Sequence, residues 1–137
     1  MDHSMTASLK RLPIFAACSD RDLDAVARLS TTLDVPPGKV LATEGQPGFE
    51  FVVIRAGTVA VTRNGQKLAE LGPGDYFGEI SLIDGGPRTA TVTAETPVTI
   101  EVVESREFDA LMEKVPGLAQ RLLKGLAARL REKTDRF

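Results

Sequence analysis

The chain has 137 residues, with 17 Lys and Arg against 19 Asp and Glu (formal charge −2), and it is 42% hydrophobic and 26% charged. That length suits one compact domain with a core of its own, and the balanced composition excludes a disordered or collagen-like chain. No apolar run approaches the roughly 20 residues of a membrane-spanning helix, and residues 1–12 lack the apolar centre of a signal peptide, so a cytoplasmic protein without a transmembrane segment is expected. The one cysteine, Cys18, excludes an intrachain disulfide. The one histidine, His3, leaves neither a zinc or iron ligand cluster nor an imidazole beside a nucleophile. Metal enzymes and most hydrolases are thereby excluded, and no cofactor is expected.

Helical signals come first. Ser19 precedes Asp20 and Asp22 and the apolar spacing Leu23, Val26, Ala27, which predicts a capped amphipathic helix to about Ser30, with a shorter helical stretch before Pro13. From Leu33 the period changes to two, and β-rich runs follow at 40–43, 51–54, 58–62, 67–71, 89–94 and 98–103. Turn signals separate them, and Asn64-Gly65 is the strongest hairpin signal. Many short strands at this spacing point to a sandwich or barrel. The helical period then returns. Ser105 is expected to cap a helix to about Val115, and Pro116 to open a second one, striped by Leu118, Leu122, Leu123, Leu126 and Leu130. The expected organisation is a single domain over 1–137: a helical segment at about 6–32, a β region at about 33–104 and C-terminal helices at about 105–136.

Residues 76–92 do not read as one strand. There is room for a helical turn from Glu79 to Ile83, a turn through Gly85-Gly86-Pro87, and a strand from near Thr89. Unpaired N–H groups at a helix start attract an anion. The glycines let backbone approach a ligand, and the Arg88 guanidinium has the donor fork that phosphate oxygens need. Glu79 is placed to accept from a vicinal hydroxyl, so the pair suggests a ribose phosphate. Taken singly, Arg88 reads as a surface arginine, Glu79 as a solvated charge or cap, and the glycines as a plain turn. The continuous string changes that balance.

The string Phe77-Gly78-Glu79-Ile80-Ser81-Leu82, followed by Pro87-Arg88-Thr89-Ala90-Thr91-Val92, resembles the phosphate-binding cassette of the cyclic nucleotide-binding domain family. Leu12-Pro13-Ile14-Phe15, the helix after Ser19, and the glycines in Pro37-Gly38, Glu44-Gly45, Ala56-Gly57 and Gly72-Pro73-Gly74-Asp75 extend the resemblance over about 10–132. It implies a mainly β fold with flanking helices, a double-stranded β-helix or jelly-roll-like β-roll. It also implies roles. Arg88 and the Ala90 N–H would bind the phosphate, and Glu79 and the Gly78 backbone the ribose 2′-hydroxyl. Thr89 would face the phosphate and the purine, and Val59 and Val61 would line the base pocket. Arg129 falls where some members carry a lid over the purine, and it reads equally as a solvated helix-face arginine.

The implied function is a non-catalytic sensor of a cyclic nucleotide, relaying occupancy through the C-terminal helices to an unknown effector. Cyclic AMP is favoured on the family's bacterial members; the Thr89 hydroxyl leaves cGMP open. The alternative is a degenerate module that binds no nucleotide and only contacts proteins, against which the presence of both Glu79 and Arg88 speaks. With six Phe, one Tyr and no Trp, and no recognition helix, nucleic acid is not an expected partner. The sequence stops short of a helix-turn-helix, which suits either a stand-alone binding protein or an excised regulatory domain. From Lys114 onward seven basic residues face two acidic ones, about +5, which reads as a solvated face or as docking onto an acidic partner or an anionic membrane surface. The leucine stripe is expected on the roll, with Leu126 and Leu130 also available to a homodimer.

Overall fold

A computed structural model describes residues 3–133, the side chains of His3, Ser4 and Lys133 excepted. The end of the basic tail, Asp135 and Arg136, lies outside the described residues. Two helices, α1 (His3–Lys10) and α2 (Asp20–Leu29), flank a 3-10 turn at Pro13–Phe15. Ser19 caps α2 as expected. Its hydroxyl accepts from the Asp22 N–H at 3.1 Å, while the Asp22 carboxylate accepts from the Ser19 N–H at 3.3 Å.

Strands β1 (Thr31–Val35), β2 (Val40–Ala42), β3 (Glu50–Ala56), β4 (Val59–Arg63), β5 (Gln66–Leu71) and β6 (Tyr76–Phe77) follow. A short helix, α3 (Glu79–Asp84), interrupts the β region before β7 (Thr91–Ala94) and β8 (Val98–Glu104), and α4 (Ser105–Lys114) and α5 (Leu118–Lys133) end the fold. The strands form two antiparallel four-stranded sheets, ordered β1-β8-β3-β6 and β2-β7-β4-β5. Mainly β with flanking helices is thus the observed architecture. Asn64 and Gly65 both take positive φ, +52° and +77°, and close the β4–β5 hairpin as their sequence demands. Among the described residues, no helix is long and apolar enough to cross a membrane.

Two hydrophobic cores share one sheet. Phe51 and Val53 of β3 face the helices, packing with Leu9, Phe15, Leu23, Phe108 and Leu122. Their neighbours Val52 and Ile54 point into the roll, against Val59, Phe77, Val92 and Ile100. Alternate side chains leave opposite faces of a strand, and both faces of β3 are covered, so its sequence is a continuous apolar run.

Several local expectations are corrected. β1 is mostly exposed and is placed by its pairing with β8, not by apolar alternation. The strand expected from Thr89 starts at Thr91. Helix α4 takes Glu104 as its N-cap with no side-chain cap bond, so Ser105 is already helical and caps nothing. Pro116 lies in the α4–α5 turn with Gly117 (φ +87°), and α5 begins at Leu118. The leucine stripe is split: Leu118 and Leu122 are buried, whereas Leu123 and Leu130 are 60% and 63% exposed.

A buried polar network ties the helical segment to the roll. Glu101 of β8, 1% exposed, accepts from Arg55 Nη1 at 2.9 Å, from Ser30 Oγ at 2.7 Å and from the Thr32 hydroxyl. Arg55 Nη2 in turn donates to Ser8 Oγ of α1 at 2.6 Å. Removing one partner of a buried ion pair leaves a desolvated charge, at ~3–5 kcal/mol. Arg55→Met is expected to cost somewhat less, about 2–3 kcal/mol, because both hydroxyls remain on Glu101. Denaturant unfolding measures it, and an unchanged midpoint would show that the carboxylate does not depend on the arginine.

Candidate functional site

Phe77 ends β6 inside the roll, and Gly78 then turns the chain into α3 with φ +97°. Only glycine fits there: a Cβ would overlap the Glu50 carbonyl oxygen and stand 2.6 Å from Arg88 Nη1. Helix α3 ends at Gly85, in the left-handed region, whose N–H donates to the Ser81 carbonyl at 2.9 Å. The chain returns through Gly86 and Pro87 to Arg88. The Arg88 N–H donates to the Gln46 carbonyl and the Gly45 N–H to the Arg88 carbonyl, each at 2.8 Å, which pins this segment to the β2–β3 loop.

Arg88 is 8% exposed, not the surface arginine its residue type alone suggests. Nη2 donates to the Glu50 carbonyl at 2.9 Å and Nη1 to the Gly78 carbonyl at 3.3 Å. Among the described residues, no carboxylate lies within ion-pair distance of this guanidinium. Burial pulls its pKa down, with the charges of Glu50 and Glu79 opposing.

Glu79 is 1% exposed. Its Oε1 accepts from Arg129 Nη1 of α5 at 2.8 Å, and Oε2 is buried without a hydrogen-bond partner. Burial pushes its carboxyl above the ordinary value, against the pull of its own backbone amide, Arg129 and Arg88. The Arg129 guanidinium also lies 5.3 Å over the Tyr76 ring and donates to the Tyr76 carbonyl at 3.4 Å.

These groups line a single cavity of about 890 Å³, a size typical of small-molecule sites at ~300–1,000 Å³. The structure brings together at its walls Val61, Phe77, Gly78, Glu79, Ile80, Ser81, Arg88, Thr89, Ala90 and Arg129, all singled out from the sequence. Val59 is the exception among the base-pocket candidates. It is fully buried in the roll core, whereas Val61, two residues on and on the same face of β4, packs against the edge of that core and also lines the cavity. Phe77 contributes to both core and cavity wall. The cavity is lined by the charged groups Arg88, Glu79 and Arg129 and by the apolar side chains Val61, Leu71 and Val92 of the roll and Leu126 and Leu130 of α5. That pattern suits a ligand with an anionic end, a hydroxyl and a flat apolar body. Among the described residues, no group of three or more His, Cys, Asp or Glu side chains is placed to hold a metal ion.

Sequence reasoning missed Tyr76, Arg63 and Glu132 at this cavity. Arg63, just before the Asn64-Gly65 turn, donates from Nε to the Thr89 carbonyl at 2.8 Å and so steadies the segment after Arg88. Tyr76 directly precedes the cassette, a signal that was present in the sequence. Glu132 had none.

The chain belongs to the cyclic nucleotide-binding domain family: the family model of that description matches residues 32–115, more than half of its length. It is 35% identical over 109 residues to a cAMP-dependent protein kinase regulatory subunit of Yarrowia lipolytica, covering 78% of this chain and 29% of that one. It is 32% identical over 132 residues to a CRP-like cAMP-activated global transcriptional regulator of Mycobacterium tuberculosis, covering 93% of this chain and 59% of the regulator. The chain thus spans less than two thirds of each of these relatives. Among solved structures, the catabolite activator protein of Thermus thermophilus superposes with a TM-score of 0.80 at 31% identity, covering 88% of this chain and 59% of that one.

The raised pKa of Glu79 has a sign that can be measured. The folded protein holds this proton more tightly than the unfolded chain, whose carboxyl titrates near the ordinary 4.5. The resulting stabilisation is fully present below the unfolded value and is lost as pH rises through the raised folded one. Wild type is expected to gain stability relative to Glu79→Gln as pH falls through that window. Denaturant midpoints against pH test it, and parallel profiles would refute the shift.

Proposed function

We propose that this chain binds a cyclic nucleotide, cAMP in preference to cGMP, as a non-catalytic sensor domain. The observation that carries the reading is Arg88: a buried guanidinium held, among the described residues, by backbone carbonyls, in a cavity that it shares with Glu79, a buried carboxylate with one unpartnered oxygen. A phosphate supplies the counter-charge. Arg88 spends two donors on carbonyls and has five, and charge-assisted bonds to phosphate contribute about 1.5–3 kcal/mol each. The Ala90 N–H binds a second phosphate oxygen. Glu79 Oε2 accepts from the ribose 2′-hydroxyl, as a buried acceptor without a donor requires, and the Gly78 backbone supports the same hydroxyl.

The purine lies along the apolar wall at Val61, with Thr89 at its phosphate side. Arg129 of α5 lines the cavity and reaches Glu79, which supports a lid over the base. Neither His nor Cys lines the cavity among the described residues, which favours binding over hydrolysis of the cyclic phosphodiester. Occupancy is relayed through α4 and α5 to an effector. The exposed outer face of α5, with Leu123 and Lys124, is the surface left for that effector or for a second copy.

Calorimetric titration with cAMP and cGMP tests the reading. Wild type is expected to bind cAMP at about micromolar or tighter, ~−8 kcal/mol. Arg88→Ala is expected to lose roughly 2–5 kcal/mol, since a buried phosphate would be left unpaired. Thr89→Ala is expected to weaken cGMP more than cAMP. No heat with either nucleotide from a folded wild type would instead favour a module that only contacts proteins.

A further inference from the structure

Gly125 sits in the middle of α5, among the helix formers Leu122, Leu123, Lys124, Leu126, Ala127 and Ala128. Its backbone is not among the positive-φ glycines, so no left-handed conformation calls for glycine there. Glycine in a helix interior weakens the helix relative to alanine. The reason for it is spatial. A Cβ on Gly125 would overlap the Tyr76 hydroxyl oxygen, while remaining at an ordinary 3.5 Å from Tyr76 Cζ.

Tyr76 is not free to swing aside. Its ring packs on Phe51 with centroids 5.6 Å apart and an interplanar angle of 52°, and Arg129 lies over it. It belongs to β6, paired with Val53 of β3. Leu122, Gly125 and Arg129 follow one another at spacings of three and four, hence on one face of α5. The first is buried in the helical core, and the last holds Glu79. Gly125 is therefore the contact between the anchored base of the helix and the arginine that reaches the cavity.

We propose that the notch at Gly125, seated on the Tyr76 hydroxyl, is the positioning contact that sets how closely α5 lies on the cavity and so whether Arg129 reaches Glu79. The consequence for ligand affinity rests on the cyclic nucleotide reading above; the positioning itself does not. A methyl group at position 125 displaces the helix by on the order of 1 Å to escape the overlap. Arg129, one turn further on, is carried with it. A 2.8 Å hydrogen bond stretched by that amount is lost.

The test compares wild type, Gly125→Ala, Tyr76→Phe and the double variant. Tyr76 is the one tyrosine and the chain has no Trp, so acrylamide quenching of tyrosine fluorescence reads the cover that α5 gives this ring without any ligand. Gly125→Ala is expected to be quenched more strongly than wild type and to bind cAMP about tenfold more weakly. Removing the hydroxyl makes room for the methyl, so Tyr76→Phe/Gly125→Ala is expected to bind as tightly as Tyr76→Phe alone. Wild-type quenching and affinity in Gly125→Ala would overturn the proposal, as would a double variant much weaker than Tyr76→Phe. If Gly125→Ala fails to fold, the double variant decides in the same way, by circular dichroism and titration. A wild type that binds no cyclic nucleotide, beside a Gly125→Ala whose tyrosine is unshielded, would refute the nucleotide reading and leave the positioning contact standing.

Discussion

The site is organised around a buried cation that, among the described residues, has no carboxylate within ion-pair distance. Desolvating a guanidinium costs several kcal/mol unless its donors are met, and Arg88 meets part of that cost with the carbonyls of Glu50 and Gly78. Those carbonyls are available only because Gly78 lacks a side chain and because β3 brings Glu50 alongside it. The backbone of Arg88 is exchanged with Gly45 and Gln46, so the β2–β3 loop, the start of α3 and the approach to β7 all converge on one residue. Carbonyl dipoles satisfy donors but do not neutralise charge. An anion entering the cavity therefore meets a field already aligned for it, with no reorganisation of the arginine.

The same economy of position explains why helices and roll behave as one body. β3 and β8 are walls common to both cores, and three aromatic rings cross the boundary. Phe51 of β3 touches Tyr76 on the cavity side at 5.6 Å and Phe108 of α4 at 5.4 Å. Interiors packed this tightly do not deform continuously, so a shift at Tyr76 is felt by α4 through Phe51. Glu101 and Arg55 add a polar tie from the same strands to α1 and to the residues that follow α2.

What the sequence discloses depends on how local the cause is. The Ser19 cap, the Asn64-Gly65 turn and the apolar run of β3 have causes within a few residues, and each was legible. The cassette was legible because its parts are contiguous, so that Gly78, Glu79 and Arg88 occur within eleven residues of one another. The Glu101 network was not, since its partners lie 46 to 71 positions away. Ser105 failed as a cap because Glu104, the extended last residue of the strand, already occupies the cap position and leaves Ser105 inside the first helical turn. That Val59 is closed into the core while Val61, on the same face of β4, reaches the cavity depends on what packs over each, which no single strand reveals. Leu118 and Leu130 look alike in the stripe, yet one is buried and the other largely exposed, because only the first half of α5 lies against the helical core.

That division of α5 bears on how it would respond to a ligand. Its first half is held by buried leucines and by Arg121, which donates to the Ile14 carbonyl at 2.8 Å. Its second half is held at the cavity by polar contacts of Arg129. Segments with few buried apolar contacts open at the lowest free-energy cost, so the distal half would open at a lower cost than the first. Glu79 sits between Arg88 and Arg129 and feels the charge of both. A phosphate on Arg88 would offset a cation that competes with Arg129 for the carboxylate and add negative potential that draws the Arg129 guanidinium to the cavity. An anion at Arg88 and the docking of the end of α5 would then favour one another across a single carboxylate, whose Oε1 already holds the helix and whose Oε2 has no partner among the described residues.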